Sequence, residues 1–113
     1  MNKKPKTELN GLLNLQKIFK MEGTYDQRKV DNWKGKGVVI DTAEVADYPE
    51  SPFETGIKSK KFNSGNWVIV ERYLTKEIAE SGHKRWVQTV ELSGLPDNLT
   101  DVNTDEVYTK MDE

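Results

Sequence analysis

The sequence contains no cysteine. Disulfide scaffolds, thiolate nucleophiles, CxxC redox pairs and cysteine-ligated zinc are excluded together. Small secreted domains usually lean on disulfides, so a reducing cytosol is the expected setting. Histidine occurs once, as His83, which excludes an HExxH pair or a three-histidine zinc site within one chain. Hydrophobic residues are scarce, at 35% of 113, while 32% are charged; one small core is therefore expected. No apolar run reaches the roughly 18 residues of a membrane span. Residues 12–21 are the most apolar N-terminal stretch, but Gln16, Lys17 and Lys20 interrupt it and no small-residue cleavage site follows, so no signal peptide is expected. Lys34-Gly35-Lys36-Gly37 has glycine without the spacing of a phosphate-binding loop.

Charge is sorted along the chain. Its net value of −2 suggests neither a nucleic-acid binder nor a strong DNA mimic. Lys3, Lys4, Lys6, Lys17 and Lys20 are opposed only by Glu8 in the first twenty residues, whereas residues 91–113 hold seven acids and Lys110 alone. Between them, eleven basic and eleven acidic residues balance. Solvated ends explain this, with residues 1–8 disordered and residues 97–113 an acidic, mobile tail. The alternative is a docking tail, or a head-to-tail contact in a homo-oligomer. On the tail reading, deletion of residues 105–113 leaves stability unchanged.

Residues 9–21 place Leu12, Leu15 and Phe19 near helical spacing, flanked by Leu13 and Ile18. This predicts a short amphipathic helix that docks on the protein's own sheet, its apolar face being too short and its basic face too sparse for a membrane surface. Residues 25–33 alternate loosely and predict a strand. Residues 38–45 are rich in β-branched side chains and predict its hairpin partner across the Lys34–Gly37 turn. Pro49 and Pro52 mark a loop. Residues 53–58 predict a strand with Phe53, Thr55 and Ile57 on one face, and residues 60–66 a second loop. Residues 67–74 open with four consecutive apolar side chains, which predicts a central strand covered on both faces.

Thr75 is a good N-cap for a helix over residues 75–92. Ala79, His83, Trp86, Val87 and Val90 share its inner face, with Trp86 expected buried. Gly82 beside that face implies close packing against a strand, and Gly94 and Pro96 end the helix. The fold class is therefore α+β: residues 9–96 form one domain, an antiparallel sheet of three or four strands against one main helix. A turn of helix is possible after Thr104.

Three segments carry a family likeness: Phe53-Glu54-Thr55-Gly56-Ile57, the run from Glu71 to His83, and Leu95-Pro96-Asp97 with Asp101-Val102. Together they resemble a family of small proteins encoded by bacteriophages and prophages, mostly of Gram-positive hosts. In that family an E-T strand motif precedes an R-Y-x-T junction ending in A-x-x-G-H. The resemblance covers roughly residues 24–102 and departs at Ile78, where an acidic residue is usual. It implies a phage or prophage origin and the host bacterial cytoplasm. It implies no mechanism and no catalytic residues.

The residues with chemical capacity each have a plain and a functional reading. His83 is either packed, bonding a strand carbonyl or Glu54, or a base or ligand contact. Glu54, Glu71 and Arg72 are either a cross-strand ion pair or a cation or acid–base site. Lys58, Lys60 and Lys61 are a solvated loop or a phosphate grip. Trp33, Trp67 and Trp86 form the core or line a pocket. A contact surface of Glu54, Glu71, Arg72, Tyr73, Lys76 and His83 is expected to converge at the strand-to-helix junction, where free N–H groups could meet an acidic partner. No enzyme, cofactor, metal, membrane or nucleic-acid role is expected. The leading function is stoichiometric binding of a host or phage protein. A virion or assembly component is the next reading, and a small-molecule binder using a tryptophan-lined cleft with His83 and Arg72 the third.

Overall fold

A computed structural model describes residues 24–112; the helix expected over residues 9–21 and the disordered residues 1–8 lie outside them. Strands β1 (Lys29–Gly35), β2 (Val38–Glu44), β3 (Phe53–Ser59) and β4 (Val68–Tyr73) form one antiparallel sheet in the order β1-β2-β3-β4. A four-residue helix, α1 (Tyr25–Arg28), precedes β1, and the long helix α2 (Lys76–Ser93) packs across all four strands on one face. Two short strands, β5 (Asn98–Thr100) and β6 (Val107–Thr109), pair as a hairpin beyond α2. The expected α+β architecture is thus present.

Local chemistry explains the boundaries. The β1–β2 hairpin turns on Lys36 and Gly37, both at positive φ, as a two-residue turn matched to strand twist requires. Thr75 caps α2, its hydroxyl accepting from the Ile78 N–H. Gly94, at φ 78°, ends it. No basic residue lies in the last turn of α2. Lys36 and Lys110 supply that charge from elsewhere, donating to the carbonyls of Glu91 and Leu95 at 2.8 and 2.7 Å.

The core joins Val38, Ile40, Ile57, Phe62 and Val68 to Val90 of α2 and to Leu95 and Leu99 beyond it. Trp33 and Trp86 pack against this cluster half-buried, so Trp86 is less enclosed than its spacing implied. Trp67 is 42% exposed and lies outside the core.

Three expectations are corrected. Residues 25–28 are helical rather than extended, because Thr24 and Gln27 form a reciprocal capping box. β4 is an edge strand, not a central one. Its apolar run reflects a β-bulge: Thr55 pairs with Glu71 but Gly56 with Ile69, which leaves Val70 as the extra residue. The bulge shifts the alternation by one, so Val68 and Glu71 both face α2. Finally, the acidic segment after residue 97 is not a trailing tail, nor a helical turn. Leu99 is buried, the Val102 N–H donates to the Ile69 carbonyl, and the Asp101 carboxylate accepts from the Ile69 N–H. This segment seals the outer edge of β4, satisfying backbone groups that an edge strand otherwise leaves open.

Gly82 sits against the Tyr73 ring, whose Cε1 and hydroxyl would lie 2.4 Å from an added Cβ. Alanine in a helix is ordinarily worth about 1 kcal/mol over glycine. Here Gly82→Ala is expected to destabilise by about 1–3 kcal/mol, the usual range for overpacking. Urea unfolding measures this, and a stabilised variant would show that α2 stands further from β4.

Candidate functional site

The six residues expected to converge are divided by the sheet. Glu71, Tyr73 and His83 lie between sheet and α2, Glu54 and Arg72 lie on the opposite face, and Lys76 is exposed at the start of α2. Strand alternation dictates the division, since Arg72 falls between Glu71 and Tyr73.

Beneath α2 the polar groups form one chain. His83 Nδ1 lies 2.7 Å from Thr42 Oγ1, which lies 2.6 Å from Thr55 Oγ1, which lies 2.9 Å from the Tyr73 hydroxyl. Tyr73 donates to Glu71 Oε1 at 2.9 Å. The same carboxylate accepts from Trp86 Nε1 at 2.9 Å, and both its oxygens accept from Arg85 Nη2. Thr42 and Thr55 are fully buried, and His83 is 2% exposed.

Donor counting gives the chain a direction. A carboxylate only accepts, so the Tyr73 proton points at Glu71 and its oxygen accepts from Thr55. Thr55 has then used its one proton and accepts from Thr42. Thr42 in turn accepts from His83, which places the imidazole proton on Nδ1. His83 Nε2 is left facing a cleft of about 210 Å³, 3.9 Å from Asp31 Oδ2. That cleft is smaller than the roughly 300–1,000 Å³ of typical ligand pockets.

Burial holds the His83 imidazole below its ordinary value, against the opposing pull of Asp31 and Asp41. Burial pushes the Tyr73 hydroxyl up, and its bond to Glu71 adds to the rise. The unfolded chain therefore takes a proton at His83, near pH ~6.5, more readily than the native protein does. The stability this contributes is complete above that pH and is lost as pH falls through it toward the lower native value. Acidification from pH 7.5 to 5.5 is expected to lower the melting temperature more in the parent protein than in His83→Gln. Equal slopes would show that His83 is not held neutral.

On the other face, Arg72 is a clasp. It donates to Glu54 Oε1 at 2.6 Å, to the Ser51 carbonyl at 2.9 Å and to Asn103, and its guanidinium stacks 3.9 Å from the centre of the Tyr48 ring. Burial pushes the Glu54 carboxyl up, with Arg72 opposing. His83 and Arg72 therefore do not share a cleft. Among the described residues, no group of three or more His, Asp or Glu is placed to hold a metal ion.

The face away from α2 carries Tyr25, which sequence reasoning passed over, and Trp67, which it assigned to the core or to a pocket wall. Tyr25 and Trp67 are each 42% exposed there. The Tyr25 hydroxyl donates to Asp41, and burial together with that carboxylate pushes it up to about 12. Hollows of about 330 and 420 Å³ adjoin one another, both lined by Tyr25, Asp41 and Trp67. Gly56 makes room, since a Cβ there would meet the Trp67 ring at 3.1 Å.

No protein-family model, curated protein or solved structure matches the chain. Its site is therefore read from its own geometry. Thr42 and Thr55 were detectable as hydroxyls in phase with Ile40 and Ile57 on their strands. Tyr25 carried no such signal, because the loose strand-like alternation of residues 25–33 hides the capping box that places it in α1, and for Trp67 a strand pattern does not say which face a helix covers. No helix among the described residues is long and apolar enough to cross a membrane.

Proposed function

We propose that the protein acts by stoichiometric binding of another protein, through the sheet face that α2 leaves uncovered. The observation that carries this is the contrast between the two faces. Beneath α2, Thr42, Thr55, Tyr73 and Glu71 are bonded to one another, and His83, 2% exposed, joins them through Nδ1 while its Nε2 faces a cleft smaller than typical ligand pockets. On the other face, Tyr25 and Trp67 stand over two adjoining hollows. Large aromatic side chains at the centre of a surface are the groups that most often anchor protein interfaces. The motif resemblance suggests the setting alone, a phage or prophage origin and the host bacterial cytoplasm; action as a non-enzymatic accessory protein on a host or phage protein belongs to the binding reading.

The test is affinity capture on the immobilised chain from a bacterial host lysate, with the parent protein, Trp67→Asp and Lys60→Gln. The reading expects one protein retained in a fixed molar ratio. Trp67→Asp should lose it while keeping its melting temperature, and Lys60→Gln should keep it. Retention by Trp67→Asp would place the contact elsewhere.

A further inference from the structure

We propose that the cavity at the C-terminal end of α2 binds a small organic anion, a phosphate, sulfonate or carboxylate group carried on an apolar body. The cavity holds about 390 Å³, within the range of small-molecule pockets. Its floor is apolar, formed by Val38, Phe62, Val90 and Leu95. Its rim carries four lysines: Lys36 from the β1–β2 turn, Lys60 and Lys61 from the loop after β3, and Lys110 after β6. Among the described residues, no carboxylate side chain lines it.

That segregation is costly in a chain with more acids than bases. Like charges drawn together repel one another, and the low-dielectric floor strengthens the repulsion, which the partial negative charge of the α2 C-terminus offsets only in part. Two of the lysines have a structural task, since Lys36 and Lys110 cap the carbonyls of Glu91 and Leu95. Each still keeps its full charge and further N–H donors. Capping does not account for Lys60 and Lys61, which are exposed, and neither ammonium has a partner among the described residues. Four lysines lining an apolar floor match one ligand chemistry, an anionic head on an apolar body. The site lies away from Tyr25 and Trp67, so it is independent of the protein-binding face.

The probe is 8-anilinonaphthalene-1-sulfonate, a sulfonate on an aromatic body whose fluorescence rises in apolar surroundings. It should bind the folded chain saturably at one site and weaken with added salt. Phenyl phosphate and benzoate, added as competitors, distinguish phosphate from carboxylate preference, and displacement by either supports the site. Lys60→Gln/Lys61→Gln should weaken binding about tenfold or more, equivalent to roughly 1.4 kcal/mol, with the melting temperature unchanged. Trp67→Asp should leave binding unaltered. Absent or unsaturable binding overturns the proposal, as does binding that survives the double substitution or is lost with Trp67→Asp.

Discussion

Removal of residues 105–113 is expected to destabilise the domain strongly. The cut takes away β6 and with it Tyr108, which packs against the core. It removes the Met111 N–H bond to the Lys61 carbonyl, the Asp101 N–H bond to the Glu106 carbonyl and the Lys110 cap on Leu95. Leu99, now 2% exposed, would lose its cover. Exposing a leucine side chain costs about 1.5–3 kcal/mol, and each lost hydrogen bond about 0.5–1.5 kcal/mol. The total is on the order of 4 kcal/mol, a fall of roughly 15–30 °C in melting temperature for a domain of this size. Thermal unfolding followed by circular dichroism measures it. An unchanged midpoint would show that the acidic segment is a tail after all.

Phe62→Ala is expected to have a comparable effect. Phe62 lies in a loop, yet it is 1% exposed and is among the largest fully buried side chains. The loop is rigid around it: its N–H donates to Ser59, and the Gly65 N–H donates to its carbonyl. Its surroundings cannot easily collapse, because Val38, Ile57 and Val68 are fixed by strand pairing. A truncation of this kind costs about 3–5 kcal/mol. A loss below ~1 kcal/mol in urea unfolding, typical of exposed positions, would show that the ring does not fill the core.

Both predictions concern elements that the sequence pattern underrated. Where a local rule acts alone, the pattern sufficed: Thr75 and Gly94 bound α2, and the β-branched run from Val38 marks β2. It failed where tertiary partners decide. The Val70 bulge turned an edge strand into an apparent central one, since an extra residue mimics a strand buried on both faces. β5 and β6 have three residues each, too few for alternation to stand out among acids. The capping box at Thr24 and Gln27 was legible and was masked by the aromatic at Tyr25. For the site, Glu71, Tyr73 and His83 do converge with one another. Glu54 and Arg72 fall on the far face because adjacent strand residues point oppositely.

At the centre of the account is a division of labour between the two faces, in which the polar chain from His83 Nδ1 to Glu71 beneath α2 is a directed brace. The protonation of His83 tests this most directly. A long-range 15N–1H correlation spectrum of the imidazole at pH 7 reports which ring nitrogen carries the proton. The donor count requires a proton on Nδ1, donated to Thr42, and burial keeps the ring neutral, a state that should persist as pH falls below the ordinary histidine value of 6.5. A proton on Nε2 alone at neutral pH would reverse the chain at its first link, and titration at the value of a free histidine would show that burial does not hold the ring neutral.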